Sequence, residues 1–223
     1  MKITITKNGP YAVDAGVPIK EVVSVAEHTG GVVSYREEKD DGKSDSATHL
    51  CRCGHSANKP FCDGQHVKVG FNGTETNDRK NYDDEAEFVQ GAVYDVMDKR
   101  ELCAVGRFCD VGNGFWDAVD KSDEASKKYV EHVGCTCPGG RFTLVDKHSG
   151  HKLEPKMEKE IYLVKDTPAR HLGPLNVRGG MQVVGADGFE YEVRNRVALC
   201  RCGESSNKPF CDATHLNCKH MEI

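Results

Sequence analysis

A seventeen-residue stretch that occurs twice constrains this chain more than any other feature. Residues 50–66 read LCRCGHSANKPFCDGQH and residues 199–215 read LCRCGESSNKPFCDATH, with 13 of 17 positions identical and no gap. Each copy holds three thiols and one imidazole. The two ligand sets are Cys51, Cys53, Cys62 and His66 in the first copy, and Cys200, Cys202, Cys211 and His215 in the second. Two copies of one ligand set predict two metal sites.

The ligand types alone leave two kinds of metal centre open. Three cysteines and one histidine form a common structural zinc site, and the same donors also suit iron. Zinc knuckles usually separate paired cysteines by two to four residues, whereas a single residue separates Cys51 from Cys53. Because a Cys-x-Cys pair directs its thiolates from alternate sides of an extended backbone, it favours a wider inorganic core. Zinc remains the alternative.

The spacing C-x-C-x2-S-x3-P-x-C-D-G-x-H resembles that of the CDGSH family of 2Fe-2S proteins, and both copies fit it. The second copy departs at Ala213, where the family has glycine, and at Thr214, where it has serine. Because alanine adopts a positive φ only with strain, we expect that turn to be tighter or slightly shifted. The resemblance implies one 2Fe-2S cluster in each copy, bound by three cysteines and a histidine.

A third group of cysteines lies between the two copies. Five residues separate Cys103 from Cys109, and Cys137-Pro138 follows. Bacterial ferredoxins bind clusters with C-x2-C-x2-C and a distant C-P, and replacing the middle cysteine by Gly106 gives the present spacing. The pattern resembles the divergent single-cluster ferredoxin domains. Three cysteines favour a 3Fe-4S cluster, or a 4Fe-4S cluster with a non-cysteine or remote ligand, for which Cys135 is a candidate; a domain that has lost its cluster is the alternative.

The repeat extends beyond the cysteine loops and predicts the architecture. GPYAVDAGV at residues 9–17 echoes GPLNVRGGM at residues 173–181, and the flanking β-branched residues predict short strands. CDGSH proteins with one motif pair as dimers and exchange strands, so the resemblance implies an intramolecular pseudo-dimer with a shared β-cap. We predict a β-rich α+β fold with three domains: CDGSH-type repeats at 1–75 and 166–223, and a ferredoxin-like insert at 76–165.

Local patterns predict the surroundings of the ligands. Asp63 and Asp212 are good N-caps, so we expect each to begin a short helix that carries the histidine. Cys218 and His220 follow the second copy and are assigned to no site. The basic residues near the ligands are either donors to sulfur or surface charges: Arg52, Lys59, Arg201 and Lys208.

Three other segments have predicted conformations. The charged residues 36–43 are expected to form a solvated loop, because the first copy is longer than the second there. Residues 74–87 are expected to be a polar, acidic linker. Residues 122–133, rich in Asp, Glu, Lys and Ala, predict a helix.

Composition excludes several classes of protein. The net charge of the 223 residues is -5, so there is no general electrostatic case for binding nucleic acid. No stretch approaches the ~18 apolar residues needed to cross a bilayer, and we expect no membrane association. The chain starts without an apolar segment of signal-peptide length. Eleven cysteines that serve as metal ligands fit a reducing compartment, so we expect a cytoplasmic protein.

Two main functional hypotheses follow from a Cys3His centre. A neutral imidazole in place of a thiolate raises the reduction potential, and acid weakens its bond to iron. The first hypothesis is an electron carrier that serves a redox partner protein. The second is a donor of 2Fe-2S clusters to an apo-acceptor, or a sensor of redox state and pH. A zinc-stapled interaction module is the structural alternative. We expect a monomer and no enzymatic activity, because the sequence has no nucleotide loop and no nucleophile-base pair.

Overall fold

The computed structural model describes the backbone of residues 1–223 and every side chain except that of Asp41. The strands are β1 (Lys2–Ile5), β2 (Tyr11–Val13), β3 (Pro18–Ala26), β4 (Val32–Lys43), β5 (Thr48–Leu50), β6 (Glu87–Val89), β7 (Tyr94–Asp98), β8 (Phe142–Asp146), β9 (Lys152–Leu153), β10 (Glu160–Asp166), β11 (His171–Arg178), β12 (Gln182–Val184) and β13 (Arg196–Leu199). The α-helices are α1 (Gln65–Lys68), α2 (Tyr82–Glu85), α3 (Phe115–Val119) and α4 (Glu124–Thr136), and 3-10 helices cover Arg100–Leu102, Phe108–Asp110, Thr214–Asn217 and Lys219–Met221.

Two sheets are built from both repeats by an exchange of strands. In the first sheet, β12 pairs parallel with β1, and β2 and β5 follow in antiparallel order. In the second sheet, β3 pairs parallel with β10, and β11 and β13 follow in antiparallel order. The first sheet therefore has three strands of the first repeat with β12 as a parallel edge strand, whereas in the second sheet β13, β11 and β10 are joined through a parallel pair to β3 and β4 of the first repeat. This arrangement confirms the predicted β-rich α+β fold with two repeats around a middle region.

One hydrophobic core lies between the two exchanged sheets. Side chains alternate along each strand, so β1 points Ile3 and Ile5 to the same buried face. The core receives Tyr11 and Leu50 from the first repeat, and further buried side chains come from β10, β11, β12 and β13. Because the apolar residues of both repeats share this core, neither repeat buries its own face without the other.

The middle region has its own sheet, with strand order β6-β7-β8-β9 and antiparallel pairing throughout. A second core joins this sheet to α3 and α4. The helix predicted at residues 122–133 is α4, which begins at Glu124 because Asp123 accepts a hydrogen bond from the Ser126 amide at 3.0 Å. β10 lies in the predicted middle segment but belongs to the second exchanged sheet. The predicted domain boundaries stay predictions.

Two predicted irregular segments are more ordered in the structure. The expected loop at 36–43 is wrong: these residues belong to β4, which extends the second sheet beyond β3. Its charged side chains are mostly exposed, and charges of this kind protect a sheet edge from further pairing. Residues 74–87 include α2, and the Thr76 amide donates to the Lys208 carbonyl at 2.8 Å. This linker is therefore fastened to the second repeat.

Candidate metal centres

The ligands of the first site form two pairs. β5 leads directly into Cys51, whose Sγ lies 3.8 Å from the Sγ of Cys53. Cys62 and His66 form the other pair, with 3.4 Å between Sγ and Nδ1. The second site repeats this geometry: the Cys200 and Cys202 sulfurs are 3.6 Å apart, and Cys211 Sγ lies 3.4 Å from His215 Nδ1. The structure thus arranges the eight ligands that the sequence predicts as four donor pairs, two in each cysteine loop.

Shared hydrogen bonds explain why the two cysteine loops fold alike. The Cys51 amide donates to Pro60 and the Cys200 amide donates to Pro209, so each loop closes on its first cysteine. The Ser56 hydroxyl donates to the Phe61 carbonyl at 2.6 Å. Its counterpart in the second copy donates to Phe210 at 2.7 Å. The motif positions between the cysteines therefore fix the backbone that holds the sulfurs.

The predicted capping role of the two aspartates is wrong. Helix α1 begins at Gln65 after Gly64, and no side chain caps it. Asp63 instead accepts hydrogen bonds from the Ala57 amide at 2.8 Å and the Gln65 amide at 3.1 Å. Asp212 makes the equivalent pair of contacts in the second copy. Because the carboxylate bridges two parts of the loop, its role is to fasten the loop around the site.

The turn at Ala213 leads into a tighter helix, in line with the expectation, because Thr214–Asn217 is a 3-10 helix whereas Gln65–Lys68 after Gly64 is an α-helix. Ala213 has φ 71° and Gly64 has φ 86°, so the alanine adopts the same left-handed conformation as the glycine it replaces. A side chain makes this conformation costly, on the order of 1–2 kcal/mol. The second site keeps its geometry and stores that strain.

The two arginines of the motifs are neither donors to sulfur nor surface charges, and the two lysines donate within their own loops. Arg52 is 2% exposed, donates to the Gly73 carbonyl at 2.8 Å and lies over the Tyr11 ring. Arg201 is buried and donates to the carbonyls of Gly173 and Val164, both at 2.6 Å. Lys59 and Lys208 donate to carbonyls within their own loops. All four side chains hold backbone in place.

The two sites differ in the exposure of their outer ligands. Cys51 and Cys53 are 5% and 4% exposed, and Cys200 and Cys202 are equally buried. Cys62 and His66 are only half-buried. Their counterparts Cys211 and His215 are each 3% exposed. One site therefore opens to solvent at its histidine end, whereas the other is closed.

Burial and neighbouring groups tune the protonation of the ligands. A hydrogen bond from Cys53 lowers the pKa of Cys51 to about 5, and one from Cys202 lowers the pKa of Cys200 to about 6. Burial, followed by the charge of Arg201, lowers the pKa of His215 to about 4. Each site therefore presents a thiolate at neutral pH, and the imidazole of the second site is neutral, as iron binding requires.

The two sites lie directly beside each other. A Cβ on Gly203 would lie 2.9 Å from the Cys53 carbonyl oxygen, and a Cβ on Gly54 would lie 2.8 Å from the Cys202 carbonyl oxygen. Only glycine permits this approach, and both glycines also have positive φ. Tyr11 of the first repeat donates its hydroxyl to the Cys200 carbonyl at 2.6 Å. The pseudo-dimer thus joins the two sites through their inner cysteines.

The middle cysteines line one cavity of about 170 Å³. Cys103, Cys109 and Cys137 all contribute to its wall, together with Arg141. Cys135, the candidate fourth ligand, does not line it. Burial raises the pKa of Cys109 to about 12 and also raises that of Cys137, so in the protein alone these thiols are neutral at pH 7. The structure brings three of the four predicted cysteines together.

The C-terminal tail touches the second site, which the sequence did not indicate. Cys218 and Met221 pack with Cys200 and Cys202 in one buried cluster. His220 Nε2 lies 2.9 Å from the Cys202 carbonyl oxygen, and its ring stacks on His55 with 4.3 Å between centroids. The corresponding residues 67–72 of the first copy have a different sequence, so the repeat carried no signal for these residues.

Two Cys3His sets on a strand-exchanged pair of sheets define a tandem protein with two equivalent sites inside one chain. The profile of the family described as iron-binding zinc finger, CDGSH type, matches residues 8–67 and 172–216. Two parts of the chain, 105 of its 223 residues, therefore match this family in the arrangement of a tandem CDGSH protein, and the match supports an iron-sulfur cofactor. No curated protein and no solved structure is significantly similar to it. Among the described residues, every helix is too short or too polar to cross a membrane.

Proposed function

We propose that the chain is an electron carrier whose two Cys3His sites each hold a 2Fe-2S cluster. Such a cluster supplies reversible one-electron chemistry. Cys51 and Cys53 would bind one iron of the first cluster, and Cys62 and His66 the other. Cys200 and Cys202, followed by Cys211 and His215, would do the same in the second site. This is a binding role for a redox group, and the proposal assigns no catalytic residue.

The pairing of the ligands carries this proposal. Each site has one sulfur-sulfur separation of 3.6 or 3.8 Å and one sulfur-nitrogen separation of 3.4 Å. A tetrahedral zinc ion at about 2.3 Å from sulfur needs all four donors around one point. Two separate pairs suit a binuclear core in which each iron takes two protein ligands.

The protein residues set the properties of such a carrier. His66 and His215 replace thiolates by neutral imidazoles, which raises the reduction potential above that of an all-cysteine site. The backbone of Gly203 lies against that of Cys53, so the two loops that carry the ligand sets pack against each other. A redox partner would approach the first site, where Cys62 and His66 are half-buried.

Anaerobic purification followed by metal and sulfide analysis tests the proposal. We expect about four iron and four acid-labile sulfide atoms per chain from the two Cys3His sites, and a reduced form with the electron paramagnetic resonance of 2Fe-2S clusters. Stoichiometric zinc without labile sulfide would establish the zinc-stapled interaction module instead.

We propose a third cluster in the middle cavity, of the 3Fe-4S or 4Fe-4S type. The support is that Cys103, Cys109 and Cys137 converge on one space of about 170 Å³, which three cysteines that only fill a core would not leave open. Arg141 also lines this space, and its charge would offset that of the thiolates. Iron in excess of four atoms per chain, lost in Cys109→Ala while the 2Fe-2S signals persist, is the expected result. Unchanged iron content in that variant would contradict it.

Delivery of a 2Fe-2S cluster to an apo-acceptor is the second candidate function. The observation in its favour is the half-buried position of Cys62 and His66, which leaves two ligands within reach of an acceptor thiol. Reversible reduction without any transfer to an apo-ferredoxin would leave electron transfer as the function.

Since the strand exchange occurs within one chain, we also propose a monomer, which light scattering would report as a mass near 24.6 kDa.

A further inference from the structure

We propose that the two Cys3His sites divide the work of the protein: the first site exchanges its cluster with an acceptor, and the second retains its cluster. This inference rests on the proposed 2Fe-2S occupancy and adds which of the two sites is labile. Its basis is a difference in the exposure of the outer ligands. Cys62 and His66 of the first site are half-buried, whereas Cys211 and His215 of the second site are fully covered.

The first site presents its outer ligands on an open surface. His66 lies in the one-turn helix α1, which has no buried residue. After the histidine, Val67 is 75% exposed and Val69 is 46% exposed. Nothing in the described part of the chain covers this helix with a buried cluster of side chains. An incoming thiol can therefore reach the iron side of His66 and Cys62 without any rearrangement of the fold.

The middle region covers the same positions of the second site. Cys211 packs with Ala104 and Ala198 in a buried cluster. His215 lines a cavity of about 10 Å³ together with Val105 and Pro138. A water molecule needs about 10–15 Å³ of such space, so there is no room for an acceptor side chain.

The C-terminal tail closes the second site further. Leu216 and Cys218 stand where the first copy has Val67 and Val69, and Cys218 is only 8% exposed. Met221 is fully buried against the second-site cysteines, and the Ile223 amide donates to the Arg170 carbonyl at 3.1 Å. Release from this site would require the tail and the middle region to separate from the second repeat.

The transfer step balances without any change of oxidation state. Three iron-sulfur bonds to Cys51, Cys53 and Cys62 and the iron-nitrogen bond to His66 break, while four bonds to acceptor thiolates form. Four acceptor thiols each give up a proton. Three of these protons go to the freed cysteines of the first site, and the fourth goes to solvent.

Thiol footprinting of the intact protein tests the inference. The purified, cluster-loaded chain is mixed anaerobically at pH 7 with an apo-ferredoxin that has four cysteine ligands, and free thiols are alkylated over time. Peptide mass spectrometry should show Cys51, Cys53 and Cys62 labelled at least tenfold faster than Cys200, Cys202 and Cys211, with transfer ending at one cluster per chain. Equal labelling of both sets, faster labelling of the second set, or no labelling of either would overturn the proposal.

Two matched variants test whether cluster exchange depends on His66. His66→Cys should slow transfer at least tenfold, because the replaced ligand no longer leaves as a neutral imidazole. His151→Cys, at an exposed histidine outside both sites, should transfer at the rate of the unmodified protein. A chain without labile sulfide before mixing would refute the 2Fe-2S proposal itself, whereas a loaded chain that fails the footprint would refute only the division of labour.

Discussion

At the scale of single residues, one difference between the two copies is that Ala213 occupies the position equivalent to Gly64. Gly64 and Ala213 have nearly the same left-handed backbone, and a Cβ on Gly64 would have no atom within 4 Å. The comparison is therefore free of steric contacts, and the energy difference comes from the backbone alone.

Ala213→Gly should stabilise the cluster-loaded protein against unfolding by roughly 0.5–1 kcal/mol. Release of about 1–2 kcal/mol of left-handed strain exceeds the added entropy of glycine in the unfolded chain. Chemical denaturation measured by loss of cluster absorbance checks this value. Gly64→Ala is the matched control and should destabilise by a similar amount; a stabilising effect there would contradict the argument.

The histidine ligands set the potential of each site. His66→Cys and His215→Cys should each lower the reduction potential of the altered site, by on the order of 100 mV, because thiolate donates more electron density to iron than imidazole does. Redox titration followed by electron paramagnetic resonance measures both sites in one sample. An unchanged potential in either variant would mean that its histidine does not bind iron.

At the scale of elements, the turn after Cys137 shows how backbone contact positions a middle ligand. A Cβ on Gly139 would overlap the carbonyl oxygen of Leu102, and a backbone atom cannot move away as a side-chain end can. The turn and the 3-10 helix at Arg100–Leu102 are thereby fixed next to the cavity of Cys103, Cys109 and Cys137.

Gly139→Ala should therefore destabilise the protein by about 1–3 kcal/mol, as overpacking does. It should also lower the iron content of the middle cavity, because Cys137 is displaced. Thermal unfolding and iron analysis measure the two effects. Gly150→Ala is the control. Gly150 is exposed and has a positive φ, but an added Cβ there would have no atom within 4 Å, so this variant reports backbone strain without overlap.

The sequence predicted individual strands better than it predicted which strands pair with each other. The echo of residues 9–17 at 173–181 identified strands β2 and β11, and the cysteine spacing predicted eight ligands that the structure arranges as four donor pairs. The pairing of β10 with β3 could not be read from local pattern, because register between distant segments depends on the whole core. The charged run in β4 was interpreted as a loop for the same reason. Cys218 and His220 were missed because they occur once, outside the repeat.

At the scale of the whole molecule, both sites depend on one core. Leu175 is 1% exposed and lies in the same buried cluster as Tyr11, Leu50 and Leu199, which precede or support the cysteine loops of both copies. A substitution that damages this core is therefore expected to destabilise both metal sites together.

Leu175→Ala should lower the free energy of unfolding by about 2–5 kcal/mol, the cost of a large cavity in a core. Iron and sulfide should be lost from both sites in a single transition, because β11 belongs to the core they share. Calorimetry together with visible absorbance during heating measures this. Two separate transitions, with only the second site affected, would show that the repeats are independent. Val67→Ala, at a largely exposed side chain, is the control and should shift the transition little.

The exchanged strands carry a consequence for how such a protein can be inherited. β12 completes the sheet of the first repeat, and β3 together with β4 completes that of the second, so either half taken alone leaves a sheet short of strands. Neither copy can be deleted, grafted onto another gene or replaced by a more distant relative without exposing an unsatisfied edge. Selection must therefore act on the two halves as one heritable unit.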